Sequence, residues 1–269
     1  MMRYLKILVV PLLISTAAES QRGNPDWSVF RGSGDLSGVS IMEIPSSPVL
    51  LWSLPTGSGT KSSPVVSGGI IYFGNEKGTL FALTAEGKIK WRQETGSTIE
   101  APPLVHSDKV YAGSSDGIFR AFDKMTGKLL WSYTTDNQIV GSANVWIAGK
   151  KSGIVVGSYD YFLYCIDPVS GKLLWKLETE NYVNGTPAVI NNKIVFGGCD
   201  GMIRITEALS GKEKNKFQTG GYIAASPALS AERAWFGDYD GNLYCLDMIS
   251  GSLVWKVPAN EDSGSIMGI

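Results

Sequence analysis

The chain has 269 residues, 43% of them hydrophobic and 18% charged, enough to bury a sizeable core and to exclude a disordered polypeptide. Its 24 Lys and Arg against 25 Asp and Glu leave a formal charge of -1, and without a long basic run neither nucleic acid nor an anionic membrane is an expected partner. The 32 glycines show no triplet period and fall between apolar runs, as in an all-β protein with many tight turns.

Taken in chain order, residues 1–20 read as a signal peptide. Arg3 and Lys6 precede an apolar run over 7–14, and small residues at 16–20 offer a cleavage site, with a mature end near Glu19 or Gln21. The run is short of the roughly 20 residues a spanning helix needs and contains Pro11, so no transmembrane span is expected after cleavage. No cysteine stands near the site, so no lipid anchor is expected either. These features predict an exported protein of the periplasm or cell envelope, or a secreted one.

Residues 21–49 form a lead-in, and from residue 50 a repeat runs to the C-terminus. Its marker is Trp52, Trp91, Trp131, Trp175, Phe217 and Trp255, with steps of 39, 40, 44, 42 and 38. A period of about 40 residues is that of a four-stranded propeller blade. Residues 50–54 read as an outer strand without its own preceding three, closing the ring on the final blade. Each later unit opens with a small-residue stretch, at 62–66, 101–105, 141–145, 185–189 and 225–229, suited to an innermost strand near the axis. An apolar strand ending in glycine follows. Asp116-Gly117, Asp200-Gly201 and Asp240-Gly241 then make two-residue turns that require positive φ. A second turn with Gly127, Gly171 or Gly251 leads to the outer strand and its tryptophan. About five complete blades are expected over residues 50–269. Residues 263–269 begin what reads as a sixth inner strand, so the expectation is an open or truncated ring.

Ala121-Phe122-Asp123-Lys124-Met125-Thr126-Gly127-Lys128-Leu129-Leu130-Trp131 follows A-x-D-x-x-x-G-K-x-x-W. This resembles the tryptophan-docking motif of pyrroloquinoline-quinone-like (PQQ-like) propeller repeats, and it recurs with small departures in the other units. Residues 26–32 resemble the lead-in of such propellers. Within that family the chain is similar to BamB-like outer-membrane assembly factors. The resemblance implies a protein partner, such as outer-membrane assembly machinery, and no cofactor. PQQ with calcium, in a quinone-dependent oxidoreductase, is the alternative that the family name raises. The chain lacks the adjacent cysteine pair that such dehydrogenases usually carry.

No catalytic, cofactor-binding or metal residue is assigned. Asp116, Asp160, Asp200 and Asp240 fall at one turn and Asp123, Asp167 and Asp247 at another, where carboxylates hold backbone. Cys165, Cys199 and Cys245 form no C-x-x-C pair, and the first and last read as small buried hydrophobes. His106, the one histidine, lies at a turn. Trp52, Trp91, Trp131, Trp175 and Trp255 are expected to dock between blades, whereas Trp146 lies off that register and is a candidate contact. Function in a repeat protein is sought where the units disagree. Three positions before the inner-strand proline or its equivalent stand Lys61, Glu100, Val140, Asn184 and Ala224, near one mouth of the central channel. Lys61, Glu100, Asn184 and Trp146 are therefore the candidate partner or ligand contacts. A channel-mouth sensor of sugar or peptide is a third reading.

Overall fold

The structure is a computed structural model that describes residues 26–42 and 45–258. The leader reading and the sixth inner strand lie outside them. The described residues form twenty strands and no helix, in five antiparallel four-stranded sheets, each ordered by sequence from inside to outside. Blade one contains β1 (Val65–Ser67), β2 (Ile70–Gly74), β3 (Thr79–Thr84) and β4 (Ile89–Glu94). Blade two contains β5 (Leu104–His106), β6 (Lys109–Gly113), β7 (Ile118–Asp123) and β8 (Leu129–Thr134). Blade three is β9 (Asn144–Ala148), β10 (Lys151–Gly157), β11 (Phe162–Ile166) and β12 (Leu173–Glu178). Blade four is β13 (Ala188–Ile190), β14 (Lys193–Gly197), β15 (Met202–Glu207) and β16 (Glu213–Gln218). Blade five is β17 (Ala228–Leu229), β18 (Arg233–Gly237), β19 (Asn242–Asp247) and β20 (Leu253–Pro258).

Both turns of the repeat follow from local chemistry. Gly117, Gly201 and Gly241 adopt φ of 76°, 73° and 82°, a region open to glycine because it has no Cβ. At the second turn one carboxylate oxygen of Asp123 accepts from the N–H groups of Met125 and Thr126 and from the Thr126 hydroxyl. Asp167 and Asp247 repeat the arrangement. At the first turn of blade five, Asp238 rather than Asp240 accepts from the Asn242 N–H, as Asn75 does from Thr79 in blade one.

Four core clusters each fill the junction between consecutive blades. No cluster among the described residues joins blade five to blade one. Every outer strand pair carries a bulge at the same place, and in all but blade four the docking residue there faces a short neighbour: Trp91 pairs with Ala82, Trp131 with Ala121, Trp175 with Cys165 and Trp255 with Cys245. The indole of each unit lies on the turn glycine of the next, where an added Cβ would come within 2.5–2.7 Å of it: Trp52 on Gly87, Trp91 on Gly127, Trp131 on Gly171 and Trp175 on Gly211. Each indole N–H also donates to a carbonyl of that turn, Trp91 to Lys124 at 3.0 Å and Trp175 to Ala208 at 3.0 Å.

Three expectations are corrected. Phe217 is not the docking residue of blade four. It pairs with Ile203, and Asn215, opposite Ile205, takes the docking place and donates from its amide to the Ile249 carbonyl at 3.1 Å. The large Ile205 side chain occupies the space that Ala or Cys leaves for an indole elsewhere. Residues 50–54 form no strand. Leu50 and Leu51 are exposed, while Trp52 anchors the segment to blade one through the Ala85 carbonyl, 2.8 Å away. Trp255 is 37% exposed instead of buried between blades; Trp91 is buried and Trp52, Trp131 and Trp175 are half-buried.

The lead-in crosses the inner strands of all five blades. Trp27 exchanges backbone hydrogen bonds with Val66, and the N–H groups of Val105, Val189 and Leu229 donate to Ser28, Gly34 and Asp35. The Asn144 amide also donates to Gly34 at 2.7 Å. An inner strand otherwise presents unpaired donors toward the axis, and the lead-in accepts them. Val29 and Leu36 enter two of the junction cores and fix its path.

Candidate functional site

The mouth is built where each chain segment enters its inner strand. Lys61, Glu100, Val140, Asn184 and Ala224 converge there around a cavity of about 320 Å³, with Phe30 of the lead-in among its walls. Small residues let the strands crowd, and their hydroxyls tie one blade to the next. The Ser62 hydroxyl donates to the Ala101 carbonyl at 3.0 Å and that of Ser142 to Pro102 at 2.8 Å. The N–H groups of Ser142 and Thr186 donate to the hydroxyls of Thr186 and Ser226. The mouth is therefore a ring of cross-linked backbone carrying a few projecting side chains.

Lys61 bridges Glu100 at 2.9 Å and Glu76 at 3.7 Å. The hydrogen bond to Glu100 holds the Lys61 ammonium above its ordinary pKa. The Asn184 Oδ1 is buried without a hydrogen-bond partner in the structure, and the Asn184 side chain lies beside Tyr159. Burial raises Tyr159 above the usual phenol range, against the Asn184 contact. Tyr159 stacks on Tyr182 with ring centroids 4.5 Å apart, and Tyr161 tilts against the same ring at 5.5 Å. Tyr222 and Tyr239 stand exposed at the corresponding linker and turn of the next junction. Sequence reasoning missed this tyrosine rim. Its signal was present: units three and five carry Tyr159 and Tyr239 where units two and four have Ser115 and Cys199.

Trp146 is not at the mouth. It lies in β9, is 2% exposed in the core between blades three and four, and points its N–H at the Cys165 sulfur, 3.2 Å away. It is off the docking register because it belongs to an inner strand, whereas the docking residues belong to outer strands. Burial pushes the Cys165 thiol up to about 12, so it remains protonated at neutral pH. His106 ends β5, half-buried, with burial lowering its pKa, so the imidazole is neutral at pH 7.

Chemically, the mouth offers one ion pair, one amide, aromatic faces and main-chain carbonyls. These suit binding by hydrogen bonds and stacking. Among the described residues no three His, Cys, Asp or Glu side chains gather as a cation site, and Glu100, the carboxylate lining the mouth, is engaged by Lys61.

The profile of a family described as outer membrane protein assembly factor BamB matches residues 16–149 and 141–266. No curated protein matches the chain. Among solved structures, BamB from Moraxella catarrhalis is similar at 19% identity and a TM-score of 0.68, over 77% of this chain and 64% of that one. Quinohemoprotein alcohol dehydrogenase from Comamonas testosteroni is similar at 17% identity and a TM-score of 0.76, over 90% of this chain and 51% of that one. A europium-containing methanol dehydrogenase gives 15% identity and a TM-score of 0.75, over 87% and 58%. The chain thus spans about half to two thirds of the length of these structures. At these identities the likeness shows the β-propeller fold.

Proposed function

The chain belongs to the family of outer membrane protein assembly factor BamB, and from that premise we propose that it is a non-enzymatic protein-binding scaffold of the bacterial cell envelope. The observation that carries the reading is the family match over both halves of the repeat array. The geometry suits such a role. Blades stapled by docked indoles and inner-strand hydroxyls hold their loops in fixed positions, so a partner meets a surface with little left to order. Exposed tyrosines beside the mouth supply amphipathic contact area of the kind enriched in protein interfaces. In this reading residues 1–20 direct export, and the partner belongs to outer-membrane assembly machinery.

A second reading is favoured by the fold shared with quinoprotein dehydrogenases. The donor set at the mouth does not match a calcium-held quinone, and no chemical step follows through one. Supplying PQQ and calcium to the purified protein, with an artificial electron-accepting dye and simple alcohols or sugars, separates the readings. The scaffold reading expects no substrate-dependent dye reduction; saturable reduction that requires added PQQ would replace it with the oxidoreductase.

A further inference from the structure

The third blade differs from the others in its inner hairpin. Asn144 pairs with Val155, whereas the equivalent pairs are Val65 with Tyr72, Leu104 with Tyr111, Ala188 with Val195 and Ala228 with Trp235. The β9–β10 hairpin is therefore four residues longer than its counterparts, which accounts for the step of 44 between Trp131 and Trp175. Inner strands begin at the mouth, so the extra ribbon projects from the opposite face. A structural repeat is indifferent to such an insertion, which leaves a role at that face to explain it.

The ribbon carries Ile147, 59% exposed, and Lys150 and Lys151 at its tip. Beside it lies a groove of about 490 Å³, with Trp146 at its base and Pro168, Val169, Leu174 and Leu209 along its walls. A smaller lobe of about 160 Å³ shares Ser152, Pro168 and Val169 with it and reaches His106 and Tyr111. The combined depression crosses from blade two to blade four. Val169, Leu174 and Leu209 are each 47–73% exposed there, an apolar surface left open to solvent. Neither Lys150 nor Lys151 is ion-paired among the described residues. The two wall carboxylates are committed, Asp167 to the turn of residues 169 and 170 and Asp108 to Lys109 at 2.7 Å.

We propose that this groove is where a partner protein lays an extended segment carrying an apolar anchor flanked by carboxylates. The proposal rests on the scaffold reading and names its binding surface. The anchor would cover Val169, Leu174 and Leu209, and the carboxylates would meet the two free ammonium groups. Charge complementarity selects the sign of the partner, and the length of the depression across two junctions selects an extended chain.

Two measurements test it on the full chain. The first follows the fluorescence anisotropy of a labelled peptide in which leucine and phenylalanine are separated by aspartate and glutamate. Saturable binding is expected, weakened at least about tenfold by the double reversal Lys150→Glu, Lys151→Glu. Reversal of Lys212, exposed on a blade-four turn, should leave it unchanged. Absence of binding, equal binding of the same peptide with lysines for its acids, insensitivity to the reversal, or displacement by dodecanoate would each overturn the proposal. The second places a photo-cross-linking phenylalanine derivative at Ile147 or at Tyr239, on the opposite face, in cells. A protein adduct from Ile147 supports the groove. An adduct from Tyr239 alone overturns the groove and leaves the scaffold standing, and adducts from neither would overturn both.

Discussion

At the scale of the residue, the fold is held by one device used repeatedly: an indole laid on a glycine that cannot carry a side chain without collision. Trp131 rests on Gly171, joins Tyr111 and Phe119 in an aromatic cluster and donates to the Pro168 carbonyl at 3.3 Å. Trp255 has the same sequence context but is 37% exposed. Trp131→Ala should therefore cost about 2–4 kcal/mol in denaturant unfolding, toward the lower part of the range for aromatic truncation because the ring is half-buried. Trp255→Ala should cost under about 1 kcal/mol. Equal losses at the two sites would mean that docking contributes nothing beyond the ring's own area. Trp91, Trp131, Trp175 and Trp255 were legible because Gly-x-x-x-Trp is local. Asn215 was not, since a search for an aromatic passes over an amide and settles on Phe217, two residues along. Placing the docking residue by its distance from the turn glycine would have found it and restored a step of 40 on either side.

Among the elements, turns carry the repeat. Asp247 is held well below the ordinary carboxylate range, at about 2, by the N–H groups of Ser250 and Ile249 and then by the Ser250 hydroxyl. Asp123 is also lowered, first by the Thr126 hydroxyl and then by its N–H. A carboxylate whose folded pKa lies below its unfolded value of about 3.9 contributes stability that is fully present above that value and is lost as pH falls toward the folded one. Unfolding midpoints should thus be steady from neutral pH to about pH 5 and decline between about pH 4 and 2, less steeply in Asp247→Asn. A midpoint unchanged from pH 5 to 2 would contradict this account. A second element-level feature escaped the sequence reading altogether. Thr95, Thr135, Thr179 and Thr219 recur after the outer strands, each hydroxyl within 2.6–2.9 Å of two backbone carbonyls, one in the blade's first turn and one in the linker that follows. Thr135→Val keeps the shape and removes this donor, while the Gly117 carbonyl keeps the Thr135 N–H and the Asn137 carbonyl keeps the Ser158 hydroxyl, so thermal unfolding should report a loss of about 0.5–1.5 kcal/mol. No loss would assign these hydroxyls to solvent exchange.

For the whole molecule, the sequence carried the blade pattern and the convergence of Lys61, Glu100, Val140, Asn184 and Ala224, because register within a repeat places equivalent positions on one ring. Long-range pairing was beyond it. Nothing local in residues 26–38 announces that Ser28, Gly34 and Asp35 will accept hydrogen bonds from three different inner strands. Likewise the excess length between Trp131 and Trp175 was visible as a number, but only pairing assigns it to the β9–β10 hairpin. The resulting arc is rigid at its junctions and varied at its two faces, an arrangement suited to holding a protein. The central claim is that the chain serves as a scaffold in the envelope, and co-purification of the tagged chain from gently solubilised envelopes of its native host tests it most directly. The account predicts a stoichiometric protein partner belonging to outer-membrane assembly machinery. Recovery of the tagged chain alone from a fraction that retains other envelope complexes would contradict it.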